Sequence, residues 1–407
     1  MPLLKKKKPA KDIASYRPIS LLCCPSKVME RMVMARVDHW QREVGIVPEE
    51  QSGFQPGRST EDCIARIAQP AFDALQVRVS PERSLLVAVD LRAAFDRVWR
   101  GGLLARLAAA GIPGAWLRWV RGWLSDRRAC VRWGDAVSGK RVFSAGVPQG
   151  SPLSPLLFVL FAADAVRAVR EAAPGVQVIM YADDITLVAR HARPARAAEE
   201  MQLALDALSS WAELNHVLIA AEKTEALVLS SDPWEVNAKC RPRLVLCGSP
   251  VGYNAEPVIL GVKFDSQLRF GPQAREATAR LRARVNIMRA LAGTSWGADE
   301  DTLRALYVGY ARPSATYAAG VWASFIAKSH LRRLESANFS AARVITRAPA
   351  GSNSAATCRE AGLVPLELVC CSTWGDSPQT TSLAGSRIRS APHVGCAGRM
   401  AQCGAFG

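Results

Sequence analysis

Apolar and polar positions recur with readable periods along most of the 407-residue chain. The first long periodic stretch, "SKVMERMVMARVDHWQREV", repeats its apolar positions at helical spacing and predicts an amphipathic helix after the loop "SYRPISLL". A Gly/Pro-rich turn, "PEEQSGFQPGRST", follows, and Ser59–Thr60 then caps a second helix over "EDCIARIAQPAFDALQ". In "RSLLVAVDLRAAFDRV" the run "LLVAV" predicts a buried strand that converts to helix just past Asp90. "GVPQGSPLSPLLFVLFAADAVRAV" predicts a Pro/Gly turn leading into a long, mostly buried helix, and "VQVIMYADDITLVAR" two short strands meeting at a tight turn on Ala182–Asp184. A helix over "ARAAEEMQLALDALSSWAELN" and the strand-like "EALVLS" close the series. This order of strand, helix, helix, hairpin, helix and strand predicts an α+β arrangement, a small antiparallel sheet with helices packed on one face. Past residue 265 the periods are helical throughout ("AREATARLRARVNIMRAL", "DTLRALYVGYARPSATYAAGVWA", "LRRLESANFSAARVI") and predict a separate helical domain. Residues 371–407 lose all periodicity and read as a disordered tail or as out-of-frame translation.

Two adjacent carboxylates, Asp183 and Asp184, inside an otherwise apolar strand pair are costly unless something cancels their charge. Asp90, ending "LLVAV", can join them if the strands are neighbours. Hard oxygen donors at strand ends suit Mg²⁺, which takes few protein ligands and prefers phosphate oxygens for the rest. Two such ions about 3.5–4 Å apart clamp an in-line phosphoryl displacement. An Asp-Asp pair alone is more often a simple turn, because Asp favours such positions, so the surrounding blocks must decide.

Charge narrows the choice of partner. Lys and Arg outnumber Asp and Glu by 52 to 36, a net +16, and the arginines spread over the whole length, which suits a long polyanion. The start "MPLLKKKKPAKD" has no apolar core of signal-peptide length, and the longest apolar run, "LSPLLFVLFAADAV", is too short to span a bilayer and carries Asp164. The expectation is an intracellular protein with no membrane partner. The tetralysine Lys5–Lys8 reads equally as a nuclear signal, a phosphate contact or a solvated loop. Eleven cysteines include no Cys-x-x-Cys pair, and "CRPRLVLCGSP" lacks a full zinc-ligand set. "AWLRWVRGWLSDRRACVRW" places Trp116, Trp119 and Trp123 on one helical face, expected to pack on the core. Arg118, Arg121, Arg127 and Arg128 would then project outward to track a phosphate backbone.

Taken together, "YADD" between apolar strands, "VAVDLRAAFDRVW" upstream and "GVPQGSPLSPLLF" between them resemble the catalytic blocks of reverse transcriptases, those of non-LTR retrotransposons most closely. "SYRPISLL", "QSGFQPGRSTEDCI", "AEKTEALVLS" and "ILGVKFDSQLRF" resemble that family's flanking blocks, in order, over about residues 8–270. The resemblance implies a right-hand polymerase. Fingers would occupy residues 1–83, palm 84–100 with the first aspartate block, a fingers/palm connection 101–143, palm again 144–265, and a helical thumb with its adjoining region 266–370. It implies an RNA template, a DNA primer and dNTPs as partners, two Mg²⁺ ions (with Mn²⁺ as a substitute) on Asp90, Asp183 and Asp184, and nuclear location. Carried over by block, Phe95 is the sugar gate, an aromatic ring where a ribose 2′-OH would need space. Gln149 and Gly150 lie against the incoming nucleotide. Arg17 and Lys8 hold the triphosphate, Lys223 protonates the departing pyrophosphate, and Leu260–Gly261 form the primer grip. Asp96 falls outside the trio and reads as structural or helix-capping.

Asn215–His216 stand where the family has a glycine-containing turn, which implies a displaced loop around Lys223. No residues matching an endonuclease or RNase H domain are visible, as in a reverse transcriptase core excised from, or decayed out of, a longer element. RNA-dependent RNA polymerases more often show Gly-Asp-Asp and a small or polar residue at the gate. Group II intron maturases share the trio, but "YRPISLL" and "GFQPGRST" are closer to the retrotransposon class. The alternative from another class is a catalytically silent, nucleic-acid-binding remnant.

Overall fold

The computed structural model describes residues 1–4, 9, 11–12, 15–76, 82–230, 241–293 and 296–372. The chain forms two units, Met1–Gln273 and Ala274–Gly407. Among the described residues no helix is long and apolar enough to cross a membrane.

The strand Arg83–Arg92 is the spine of the first unit's sheet, whose order is Gly252–Tyr253, Glu225–Leu229, Arg83–Arg92, Asp184–His191, Val176–Tyr181. Leu218–Ile219 pairs with the far end of the spine, opposite Arg92 and Leu91. All pairings are antiparallel except that of Glu225–Leu229 with Gly252–Tyr253. Leu85, Val87, Val89 and Leu91 on one face of the spine join Val178, Met180, Ile185 and Leu187 in the main core. That face is covered by the helices Ser154–Ala172 and Pro194–Leu214. Each such side chain, once fully buried, contributes about 1.5–3 kcal/mol.

The expectation of helices on one face only is corrected. The intervening residues Leu86, Ile179 and Val188 are buried too, outside that core, and the helix Thr60–Gln76 packs on the strands carrying them. The cause is legible in "LLVAV", a continuous apolar run rather than an alternating one, so both faces of the sheet need cover. Thr60–Gln76 begins as expected. Ser59 Oγ accepts from Asp62 N at 3.1 Å and Asp62 Oδ2 accepts from Ser59 N at 2.9 Å, a reciprocal cap.

A second correction concerns the tryptophan segment. Its helix, Gly114–Leu124, stops before Arg127 and Arg128, because the following residues form two exposed two-stranded pairs, Arg128–Ala129 with Arg141–Val142 and Arg132–Trp133 with Ala136–Val137. Trp116, Trp119 and Trp123 are half-buried against the core as expected, and Arg118 and Arg121 are exposed. The guanidinium of Arg127 lies over the Trp123 ring, and Arg128 pairs with Asp126.

The second unit is helical. The stretch "DTLRALYVGYARPSATYAAGVWA", helical in period, forms Glu300–Leu306, a π-helical turn Tyr307–Ala311, Pro313–Thr316 and Ala319–Trp322. Pro313 supplies no N–H to continue the ladder, and Ala318 takes a left-handed φ of 52°. Lys328–Thr346 packs beside them, with Asn338 accepting the Tyr307 hydroxyl in the interior. The chain is helical again over Ser354–Glu360 and Leu366–Ser372, and the rest of the aperiodic tail lies outside the described residues.

Candidate active site

Two strand ends bring the aspartates together. In the register of the spine with Asp184–His191, Asp90 stands directly opposite Asp184. Tyr181 pairs with Asp184 across the hairpin, which leaves Ala182 and Asp183 as its two-residue tip. Ala182 has a φ of 57°, a left-handed conformation that costs a non-glycine residue about 1–2 kcal/mol. The two-residue turn demands it, and a side chain from outside the hairpin supports it. The Gln51 carboxamide accepts from Ala182 N at 2.9 Å and donates to Ala182 O at 3.2 Å. The sequence shows "QSGF" only as part of a turn, so this partner, 131 residues away, had no local signal.

The three carboxylates repel one another. Burial pushes the Asp183 carboxyl upward and Asp90 adds to this, while its own backbone N–H and the Arg17 charge pull it back. Asp184 keeps an exposed face, yet surrounding protein, then Asp183, then Asp90 raise it from 3.8 to about 6. The trio is electrostatically coupled, but among the described residues no three acidic, His or Cys groups form a ready-made metal cluster. Lys223 lies beside the trio. Its Nζ donates to Asp90 Oδ2 at 2.9 Å, with the side chains 58% and 37% exposed.

The loop around Lys223 is tied to the spine through His216 and the residues after it. His216 adopts the glycine-like φ itself, at 57°, and Val217 N closes the helix end on Ala212 O at 2.9 Å. Its ring meets Trp99 edge-on at 5.2 Å, and the neighbouring Asn215 accepts from Arg106. Leu218–Ile219 then pairs with the spine, and Ala220 N donates to Asp90 O at 2.8 Å, which brings Lys223 back to the aspartate.

The expected nucleotide residues surround the next segment. Phe95 lies in the short 3₁₀ turn Ala94–Arg97, half-buried, stacked on Phe158 at 4.8 Å and edge-on to Phe54 at 6.3 Å. Val147 N donates to Phe95 O at 2.8 Å, joining this turn to the "PQG" loop. Gln149 Nε2 donates to both carboxylate oxygens of Asp96 at 2.9 Å, so Asp96 anchors the loop. Gly150, at φ 112°, passes so close to the "RPIS" segment that a Cβ would stand 2.7 Å from Ser20 O. Ser20 N donates to Gln149 O at 2.6 Å. Arg17, exposed on the strand Tyr16–Pro18, is thereby tied to the same loop. Lys8 lies outside the described residues.

Behind the loop sits a buried carboxylate that sequence reasoning passed over. Glu30 accepts from Ser151 Oγ at 2.6 Å, Trp123 Nε1 at 3.0 Å and Ser26 Oγ at 2.9 Å, linking the helix Cys24–Val44 to the tryptophan helix and to "PQGSP". Leu260 and Gly261 form a separate tip, the two-residue turn between Val258–Ile259 and Val262–Lys263, with φ of 47° and 84°.

The family model for reverse transcriptase (RNA-dependent DNA polymerase) matches residues 4–264. A probable RNA-directed DNA polymerase from transposon BS of Drosophila melanogaster is 32% identical over 85% of this chain and 38% of its own length. The RNA-directed DNA polymerase from mobile element jockey of Drosophila funebris is 29% identical over 85% of this chain and 37% of its own. The chain thus spans under two fifths of these relatives. Apo telomerase from Candida tropicalis aligns over 79% of this chain and 55% of its own with a TM-score of 0.41 at 11% identity, a likeness too loose to argue from. The family match covers well over half of the sequence, from Leu4 to Phe264, and on it the chain belongs to the reverse transcriptase family.

Proposed function

We propose that this chain is an RNA-directed DNA polymerase of non-LTR type, in which a DNA primer 3′-OH attacks the α-phosphate of a dNTP on an RNA template. The observation that carries the reading is the register of Asp90 against Asp184 with Asp183 at the adjoining tip. The donor set fits divalent cations: hard carboxylate oxygens on two strand ends, two of them with raised pKa values that a cation would bring down. Asp90, Asp183 and Asp184 would hold two Mg²⁺, or Mn²⁺, which when bound supply charge neutralisation and an activated hydroxyl at the reacting phosphate.

The chain's own groups do the rest. Lys223 offsets charge at Asp90 and donates the proton that the departing pyrophosphate takes up. The ring of Phe95, fixed between Phe54 and Phe158, fills the space a ribose 2′-OH would need. Gln149, held by Asp96, and the close-lying Gly150 shape the nucleotide's floor, and Arg17 faces its phosphates. Leu260–Gly261 steadies the primer strand. In this reading residues 1–83 and 101–143 serve as fingers and connection, 84–100 and 144–265 as palm, and 266–370 as thumb. Nuclear location follows if the parent element copies itself into chromosomal DNA.

The test is primer extension on an RNA template with labelled dNTPs. The reading expects Mg²⁺-dependent extension that EDTA abolishes and that Asp183→Asn lacks. Template–primer binding without extension by folded wild-type protein would refute it.

A further inference from the structure

We infer that Gln51 and Gly53 are positioning residues for the aspartate hairpin, setting where Asp183 and Asp184 present their carboxylates to a divalent cation. The inference rests on the polymerase reading for the use of the site, but its geometry stands alone.

Gln51 is 1% exposed, and its single carboxamide makes three hydrogen bonds. Oε1 accepts from Ala182 N at 2.9 Å and from Gly53 N at 2.8 Å, and Nε2 donates to Ala182 O at 3.2 Å. Both backbone groups of the strained tip residue are thus held by one side chain. The clamp is itself anchored: Ser52 N donates to Met180 O at 2.8 Å and Met180 N to Glu50 O at 2.9 Å, a short parallel bridge beside the hairpin. Gly53 lies so close that a Cβ there would stand 2.1 Å from Ala182 N, 2.8 Å from its Cα and 2.9 Å from Tyr181 C. Those are backbone atoms of the hairpin, which must move to make room.

The residue types follow from these contacts. A carboxamide of this length can accept from one backbone group and donate to the next without a change of protonation. A carboxylate at 51 would set an oxygen against Ala182 O, and an asparagine is one methylene short. A left-handed alanine persists where its surroundings over-determine it, and here Gln51 does so immediately before Asp183. A two-residue hairpin turn needs positive φ at its first position, which alanine takes only at a cost, so without that clamp the tip is free to shift and swing both aspartates. Mg²⁺ demands near-ideal octahedral geometry, so it would register the swing more than Mn²⁺.

The experiment uses the full chain with Gln51→Met, Gln51→Glu and Gly53→Ala. Mn²⁺ binding is read by electron paramagnetic resonance, and single-nucleotide addition is timed on an RNA template. Folded variants are expected to bind Mn²⁺ about 10–100-fold more weakly, with kcat reduced by a similar factor. Their dNTP KM and template–primer Kd should stay within about threefold of wild type, and the Mg²⁺ midpoint should shift further than the Mn²⁺ midpoint. Wild-type Mn²⁺ affinity and kcat in folded variants would overturn the inference. So would loss of cooperative unfolding in all three, which would make Gln51 a fold-holding residue only. If wild type bound Mn²⁺ at the trio yet extended no primer, the polymerase reading would fall while the variants' Mn²⁺ affinities still decided the role of Gln51.

Discussion

Two of the two-residue hairpin tips among the described residues are framed very differently. Ala182–Asp183 joins strands of six and eight residues inside the main sheet, and a buried glutamine from a distant turn grips it. Leu260–Gly261 joins strands of two residues each, and its two positive φ angles are those of a tight hairpin turn. The contrast separates two demands. In the proposed reading the first tip presents carboxylates at fixed points and is held from outside the hairpin, whereas the second, the proposed primer grip, has the positive φ of a tight turn at both positions.

Removing a carboxylate from the clamped tip should have the largest effect. Asp183→Asn is expected to lower single-nucleotide kcat about a thousandfold or more, measured by rapid quench, without loss of template–primer binding. Less severe is the gate. Phe95→Ala should raise ribonucleotide incorporation relative to dNTPs about 10–100-fold in competition assays. It should also cost roughly 2–3 kcal/mol of stability in denaturant titration, because the ring stacks on Phe158.

The clamped tip should also respond to pH. Asp184 is raised to about 6 in the folded chain, so the metal-free protein binds more protons folded than unfolded between 3.8 and that value. Its stability therefore declines as pH rises through the window. Metal affinity runs the other way, gaining up to about tenfold per pH unit until Asp184 is ionised near 6. Asp184→Asn should stabilise the metal-free chain by about 1 kcal/mol near neutral pH, a figure discounted for the residue's exposed face. Titrations of Mn²⁺ affinity and of thermal stability check the two slopes.

The smallest change belongs to the second tip. Leu260→Asn should stabilise by a few tenths of a kcal/mol in denaturant titration, since Asn tolerates positive φ, and weaken template–primer binding more than it lowers kcat. A large loss of kcat there would erase the contrast between the tips.

How far the sequence could be read follows the same division. Asp90 and Asp183–Asp184 stood out because carboxylates are rare in apolar strands, and the two-faced burial of "LLVAV" was present in its unbroken run. The Gln51 clamp, the Glu30 network and the Gln149–Asp96 bond were invisible because their partners lie 53 to 131 residues apart. The end of the tryptophan helix was misplaced because helical spacing carries on past Ser125 in residue type, while the backbone turns at Asp126, where φ is 45°. His216 looked like a fault at a glycine position, yet the chain accepts the left-handed strain there and Lys223 still reaches Asp90.

The most direct test of the account is a crystal structure with Mn²⁺, using its anomalous signal. Two peaks between Asp90 and the Asp183–Asp184 tip, with Lys223 Nζ withdrawn from Asp90 and the Gln51 clamp intact, are the predicted result. Peaks elsewhere, or none with Lys223 still on Asp90, would contradict it.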